Sequence, residues 1–397
     1  MLLLLVLGSC SANKPVPQYE PFDFVSWTDA GVKSDNSEPL ETDSSEPIEQ
    51  DTTQLVHPCY PETPPGTVRA YFSKNVSYYS GELTLCAGQD LGLRAAELID
   101  QAESTIDMAA MGIQHDDVLE ALMEASSRGV KVRVVMDDEY YRPDEWQDLV
   151  DLEDSGVDLV TDTYGSPYMH NKFIIVDSTY LWTGSANFSS YDSTSNANST
   201  LLFNSEAICG VYQNRFDRMW GDGTVGSGDC HQDQFGYPKN VTINSDKVDV
   251  YFTPSWSVAE RYKELIANAE EAIHFQIFAF TLDEIREAIL DRCGEVEIIG
   301  LYDEDQATSY GSTIPDYWCD EATILPANVI GGSGYKKMHQ KLLLIDPTGS
   351  KPFIATGSFN WTNAASESND ENVVILSDPE LAELFEAEFQ ARLAQSR

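Results

Sequence analysis

Basic residues are what this chain has least of. Its 397 residues include only 24 lysines and arginines against 66 aspartates and glutamates, a formal net charge of -42. A body so acidic repels the backbone of DNA or RNA and the face of an anionic bilayer, so generic polyanion binding is disfavoured. The same balance also serves solubility, or life in salt. A membrane-crossing run is lacking too. The apolar stretch at the start covers residues 2–7, far short of the roughly 20 residues that span a bilayer. No cysteines are spaced C-x-x-C and no Cys/His cluster stands out, which disfavours a structural metal site. Apolar content is ordinary at 42%, and a chain of this length can bury a sizeable core.

The first ten residues, MLLLLVLGSC, end in Leu7-Gly8-Ser9-Cys10. This resembles the lipobox of a bacterial lipoprotein, in which residues 1–9 are the signal and Cys10 is lipidated. That resemblance implies an exported chain, lipid-anchored to the cell envelope on its periplasmic or outer-membrane face. No Lys or Arg precedes the run, and a secreted protein with an ordinary cleaved signal is the alternative. Residues 10–60 are rich in Ser, Pro, Thr, Asp and Glu without periodicity, which predicts a disordered acidic tether. The aromatics Tyr19, Phe22, Phe24 and Trp27 leave local docking as the other reading.

Besides Cys10 there are six cysteines: Cys59, Cys86, Cys209, Cys230, Cys293 and Cys319. An even number in an exported chain suggests disulfides. Sequential pairing (59–86, 209–230 and 293–319) would close three modest loops, although other connectivities are open.

From about residue 65 the pattern alternates strand and helix. VRAYFS (68–73) reads as a strand, 91–102 as a helix, 106–113 as a strand and 116–127 as a helix stopped by Gly129. Strand 130–136, helix 144–154, strand 157–161 and helix 206–220 follow. The order then restarts. VDVYFT (248–253) matches VRAYFS, IANAEEAIHFQIFAF (266–280) matches IDQAESTIDMAAMGI (99–113), and VEIIGLYDED (296–305) matches VKVRVVMDDE (130–139). Two long repeats mean a duplicated domain rather than a solenoid. The predicted class is α/β, with halves at 61–235 and 236–397, each a mostly parallel sheet flanked by helices.

One polar pattern occurs once per half. HNKFIIVDSTYLWTGSANFS (170–189) and HQKLLLIDPTGSKPFIATGSFNWT (339–362) both read His-x-Lys, four apolar residues, Asp, then Gly-Ser-x-Asn and an aromatic. On a strand, residues i and i+2 share a face. His170 and Lys172 therefore point together, as do His339 and Lys341, with FIIV and LLLI as buried strands behind them. Gly184-Ser185 and Gly357-Ser358 read as tight turns that bring Asn187 and Asn360 near as amide donors. A pseudo-twofold would gather two His, two Lys, two Ser and two Asn around one centre. That set suits phosphodiester cleavage with no metal or cofactor. Lysines hold the non-bridging oxygens, one imidazole attacks phosphorus, and the other protonates the leaving alkoxide and then activates water. A single H-x-K-x4-D is weak. Two copies, each followed by G-S-x-N, are not decoration.

With both motifs in view, the chain resembles the phospholipase D superfamily, whose signature is H-x-K-x4-D followed by G-S-x-N. The resemblance covers about 61–397. It implies two similar α/β halves with the active site between them, a phosphohistidine intermediate and no required metal. It further implies His170 as nucleophile and His339 as acid and base, with Asp177 and Asp346 mainly structural. SNDENVVIL (368–376) resembles the family's carboxylate position, and Glu371 would hydrogen-bond a catalytic imidazole. The first half reads SNANSTLLF (195–203), with Asn198 in that place, so the halves are asymmetric. Asp192 would then orient the other imidazole. Among the remaining histidines, His274 reads as core, His115 lies where it could reach the site mouth, and His57 and His231 read as exposed.

The family includes lipid phosphodiesterases, cardiolipin and phosphatidylserine synthases, nucleases and inactive members. The acidic balance and the lipobox favour a phospholipid headgroup at a membrane surface. An exported nuclease or a cardiolipin synthase-like transferase is the alternative, and Lys336 and Lys337 in GYKKMHQK add local positive charge. Both motifs lie in one chain, so a monomer suffices and no protein partner is needed.

Overall fold

The computed structural model describes residues 64–74, 88–144, 146–162, 165, 167–228, 230, 239–243, 246–327 and 337–396. The expected signal, Cys10, the tether, Cys59, Cys86, His57 and His231 lie outside the described residues.

The first repeat runs β1 (Thr67–Phe72), α1 (Leu91–Asp100), β2 (Thr105–Ala110), β3 (Ile113–Gln114), α2 (Asp116–Ser127), β4 (Lys131–Met136), α3 (Gln147–Asp154) and β5 (Asp158–Thr161). It continues through β6 (Lys172–Val176), β7 (Tyr180–Gly184), β8 (Phe188–Ser189), a π-helical turn (Tyr191–Ser195), β9 (Ser199–Asn204) and α4 (Glu206–Trp220). The second repeat runs β10 (Lys239–Ile243), β11 (Asp246–Phe252), α5 (Ser257–Ala267), β12 (Ala272–Ile277), α6 (Asp283–Leu290), β13 (Glu297–Tyr302), α7 (Glu304–Ala307) and β14 (Thr323–Pro326). It ends with β15 (Lys341–Ile345), β16 (Phe353–Gly357), α8 (Asn363–Glu367), β17 (Asn372–Leu376) and α9 (Pro379–Gln395).

The class is α/β with two like sheets, ordered β1-β9-β7-β6-β2-β4-β5 and β10-β11-β17-β16-β15-β12-β13-β14. The sheets are mixed rather than mostly parallel. Only β2-β4-β5 and β12-β13-β14 pair in parallel, and every other pairing within the two sheets is antiparallel. Connection length explains this. A parallel neighbour needs a crossover of a dozen residues or more, which α2 supplies between β2 and β4, whereas the three residues between β6 and β7 permit only a hairpin.

Both faces of the motif strands are buried, which is why FIIV and LLLI are unbroken apolar runs. Phe173, Ile175, Leu342 and Leu344 enter one shared core between the sheets, filled by Tyr212 and Phe216 of α4 and Phe385 and Phe389 of α9. Ile174 and Val176 face the layer of α1, α2 and α3, and Leu343 and Ile345 face that of α5 and α6.

Three local features bear on the earlier expectations. Asp177 and Asp346 sit at positive φ (51° and 49°) in the turns after β6 and β15. Asp177 accepts from the N–H groups of Glu103, Ser104 and Thr105, and Asp346 from those of Glu270, Glu271 and Ala272. They tie the motif hairpins to the starts of β2 and β12. Cys293 and Cys319 form a disulfide. The 209–230 pairing is not made: both residues are buried in the core between the sheets, and burial pushes the Cys209 thiol up to about 12. There the thiol packs as a small hydrophobe. Among the described residues, no helix is long and apolar enough to cross a membrane.

Candidate active site

The two motif strands converge on a seam where each half is stitched to the other. The N–H of His170 donates to the Asp370 carbonyl (2.9 Å), and that of His339 to the Ala197 carbonyl (3.1 Å). The bridges Met169↔Asp370 and Ala197↔Met338 are equivalent under the repeat, so the crossing obeys a pseudo-twofold. Strand alternation sends Asn171 and Gln340, the middle residues of each His-x-Lys, toward the interface. There Asn171 accepts from Asn372 Nδ2 (3.1 Å), and Gln340 accepts from the Ser199 hydroxyl (2.6 Å).

Gly184 and Gly357 hold the turns after β7 and β16 because nothing larger fits. A Cβ at Gly184 would lie 2.3 Å from the Ser199 carbonyl oxygen, and one at Gly357 2.2 Å from that of Asn372. The Ser185 and Ser358 hydroxyls, both fully buried, accept the N–H of Ser199 and Asn372 respectively. Both lock their turns, and that of Ser185 also donates to Asn198 Oδ1 at 2.7 Å, the oxygen that faces His339 Nδ1.

All four motif cations and imidazoles are buried: His170, Lys172, His339 and Lys341 are 7%, 1%, 6% and 0% exposed. Each lysine donates to the carbonyl of its own histidine, at 2.6 Å for Lys172 and 2.5 Å for Lys341. Burial lowers both lysines, Lys172 to about 8 with Glu371, Asp192 and Asp137 opposing. Lys341 falls well below the ordinary lysine value, through burial and the charge of Lys172. Two lysines are thus held among the carboxylates of Glu371, Asp192 and Asp137 at one buried point, where a bound anion would favour their charged forms. If Lys172 must be cationic to bind it, kcat/KM should fall as pH rises through about 8, a limb a pH–rate profile would show.

The imidazoles are held across the seam, and differently. His170 Nδ1 lies 2.6 Å from Glu371 Oε2, a carboxylate of the other half with no solvent exposure. His339 Nδ1 lies 3.0 Å from Asn198 Oδ1 and 3.3 Å from Asp192 Oδ1. Asn198 Nδ2 donates to the Asp192 carbonyl and carboxylate, which orients its Oδ1 toward the imidazole. Both rings therefore donate from Nδ1 and leave Nε2 for chemistry. Burial lowers the pKa of each. Glu371 partly restores His170, while Lys341 drives His339 further down. Burial works to raise Asp192, yet His339 and the amides of Asn196, Asn187 and Asn198 bring it to about 2. Replacing Glu371 by glutamine should cut turnover at least tenfold, about 1.4 kcal/mol of barrier, with the far-ultraviolet spectrum unchanged.

The carboxylate has changed place between the repeats. Residues 184–199 align with 357–372 without a gap, which puts Asp192 opposite Ala365 and Asn198 opposite Glu371. The first half supplies its carboxylate from the π-helical turn, the second from the entry to β17. Asn187 Nδ2 consequently donates to Asp192 at 2.8 Å. The Oδ1 atoms of Asn187 and of its counterpart Asn360 are both buried with no hydrogen-bond partner.

Sequence reasoning passed over Asn171, Gln340, Ser199 and Asn372, although the middle residue of both His-x-Lys triplets is an amide. It also passed over Phe278, whose ring lies 4.8 Å from that of His339 and 5.0 Å from the Lys341 ammonium. His115 is buried with Nε2 3.0 Å from Asp90 Oδ1, the cap of α1, and is spent on helix packing. His274 is core, as expected, but between Glu297 and Glu386 (both 2.9 Å). Among the described residues the cluster with metal-ligand spacing is Asp137, Asp138 and Asp162. Its oxygens accept the N–H groups of Glu139, Met169 and Asp138 and so hold backbone.

Two like sheets, each delivering one His-x-Lys and one Gly-Ser-x-Asn to a shared buried centre, define a duplicated α/β protein with a composite two-histidine site. A family profile described as "Cardiolipin synthase, PLD-like domain" matches residues 96–220 and 262–393, and the chain belongs to this phospholipase D-like family. Mitochondrial cardiolipin hydrolase of Xenopus tropicalis is 31% identical over 123 residues, 31% of this chain and 58% of that protein. Phospholipase D of Rickettsia prowazekii (strain Madrid E) is 34% identical over 121 residues, 30% of this chain and 58% of that protein. The chain thus spans under two thirds of the length of these curated relatives. The crystal structure of phosphatidylserine synthase from Haemophilus influenzae Rd KW20 shares the fold, with a TM-score of 0.59 at 12% identity over 77% of this chain and 84% of that one.

Proposed function

We propose that this chain is a phospholipase D-type phosphodiesterase that hydrolyses a glycerophospholipid headgroup to phosphatidic acid without a metal or cofactor. The observation that carries the reading is the buried pair of His-x-Lys strands, each imidazole held at Nδ1 by an acceptor from the opposite half. Lys172, Lys341, Asn187 and Asn360 take the non-bridging oxygens. His170 Nε2 attacks phosphorus and the bond to the headgroup oxygen breaks, with His339 Nε2 giving that oxygen its proton. His339 then takes a proton from water, which attacks the phosphohistidine and frees His170. Glu371, 2.6 Å from Nδ1, balances the cationic imidazole formed on the way. His339 is held neutral by burial and Lys341. Before it acts as acid, its Nε2 takes a proton from solvent, which the anionic diester favours by offsetting the lysines.

Three things favour a lipid. The relatives matched are named phospholipase D and cardiolipin hydrolase. The net charge of -42 opposes a polyanion tracked along a groove. Lipidation at Cys10 would hold an exported enzyme at its substrate. Both motifs belong to one chain, so a second copy is not needed.

The test is release of phosphatidic acid by the full chain from vesicles of phosphatidylcholine, phosphatidylethanolamine and cardiolipin in EDTA, with plasmid DNA in parallel. Cleavage lost in His170→Ala is the expected result, and added ethanol would reveal transfer as phosphatidylethanol. Nicked DNA with intact lipid would replace this reading with the nuclease.

A further inference from the structure

A carboxylate stands behind each histidine at equivalent places, and the chemistry above does not use it. Asp137 follows β4 and Asp303 follows β13, and they are 0% and 3% exposed. Asp137 Oδ2 accepts the N–H of Met169 at 2.8 Å, and Asp303 Oδ2 that of Met338 at 3.0 Å. Those methionines immediately precede His170 and His339. The other oxygens hold local turns of different shape: Oδ1 accepts from Glu139 N, two residues on, in the first half and from Gln306 N, three residues on, in the second, both at 3.1 Å. The backbone carrying each imidazole is thus fastened twice, by a carboxylate of its own half at the methionine and by a carbonyl of the other half at the histidine.

We propose that Asp137 and Asp303 are a matched pair of positioning residues, each fixing the approach of one His-x-Lys strand and setting negative charge behind its lysine. Duplication argues for this. The repeats have exchanged Asp192 for Ala365 and Asn198 for Glu371, yet this carboxylate and its bond to the methionine N–H before the histidine stand in each. A serine or asparagine could accept the same N–H at less desolvation cost, so a buried carboxylate needs a reason. The lysines supply one. Asp137 opposes the fall of Lys172 together with Glu371 and Asp192. Asp303 does the same for Lys341, beside Asp192 and Glu371 and against Lys172.

The pair differs in one respect. Burial and the neighbouring Asp162, with Asp138 adding, push Asp137 up to about 7 against the N–H groups of Met169 and Glu139. Burial also raises Asp303, with Asp305 adding and Lys337 and the N–H groups of Gln306 and Met338 opposing. Asp137 loses its charge as pH falls through about 7, so the charge that Asp137→Asn removes is present in the parent only above that pH. A residue that merely held structure would show no such dependence.

The kinetic arm rests on the phosphodiesterase reading, and the binding arm does not. Asp137→Asn, Asp303→Asn and the two alanine variants of the full chain are compared with the parent from pH 5.5 to 9. Cleavage of bis(p-nitrophenyl) phosphate in EDTA is followed, and binding of inorganic phosphate is measured by calorimetry. The asparagine variants should move the alkaline limb of kcat/KM down by half a unit or more. Asp137→Asn should match the parent near pH 6 and bind phosphate at least twofold more weakly at pH 8. The alanines should lose at least tenfold in kcat at every pH, having lost the hydrogen bond too. Asp303 reads the same property in the other half should Asp137→Asn fail to fold. Unshifted limbs with parental phosphate binding in both asparagine variants would overturn the proposal. A parent that cleaves no diester, with the phosphate isotherms shifted as stated, would overturn the function and leave the positioning role standing.

Discussion

Replacing His339 with asparagine is expected to stop the reaction halfway, with phosphorus left on His170. The two imidazoles are equally buried but not equally partnered. His170 faces a carboxylate at 2.6 Å, which stabilises the positive ring that forms when Nε2 bonds to phosphorus. His339 faces an amide oxygen at 3.0 Å, which orients a neutral ring and compensates a charged one only through Asp192 at 3.3 Å. The first is suited to carry phosphorus and the second to pass protons. Losing the proton carrier alone should cost roughly 10²–10⁴-fold in turnover. A p-nitrophenolate leaving group needs no acid, so His339→Asn should give one burst of product per chain and then stall. Intact-mass measurement should find the adduct, and peptide mapping should place it on His170. His170→Asn should give neither burst nor adduct. A burst in His170→Asn with the adduct on His339 would exchange the two roles and make Glu371 the partner of the acid.

What was legible in the sequence, and what was not, divides by distance along the chain. Strands and helices came from periodicity within a dozen residues, and helix 206–220 matches α4 residue for residue. The facing of His170 with Lys172 follows from alternation alone. Strand direction did not come through, because FIIV reads the same either way; the short link from β6 to β7 held that information and was not used. The 209–230 pairing failed for a related reason. Spacing shows that a loop can close, not whether the fold brings the two cysteines into bonding geometry. The stitching at the seam was legible only through the resemblance, which set Glu371 against one imidazole and Asp192 against the other; the bond of Asn198 to His339, 141 positions apart, was not foreseen. The gapless match of 184–199 with 357–372 was the available signal. It sets Asp192 opposite Ala365 and shows that the carboxylate moved rather than vanished.

Truncating Arg215 should destabilise the fold by about 3–5 kcal/mol, the cost of breaking a buried ion pair from one side. Arg215 projects from α4 in the first half to Asp370 in the second, and neither side chain has any solvent exposure. Asp370 is also the residue whose carbonyl receives the His170 N–H and whose own N–H goes to the Tyr168 carbonyl (both 2.9 Å). The pair therefore anchors the strand entry from which Glu371 reaches His170, so stability and activity should fail together. Arg215→Ala and Asp370→Ala should each lower the denaturation midpoint sharply. The double variant should lose much less than their sum, because each substitution removes the partner that made the other costly. Arg215→Met with Asp370→Leu goes further: filling the same space with apolar groups can recover most of the stability. Activity should not return with it, since the His170 contact depends on where the Asp370 backbone is held. Additive losses in the double-mutant cycle would show that the two charges do not depend on one another.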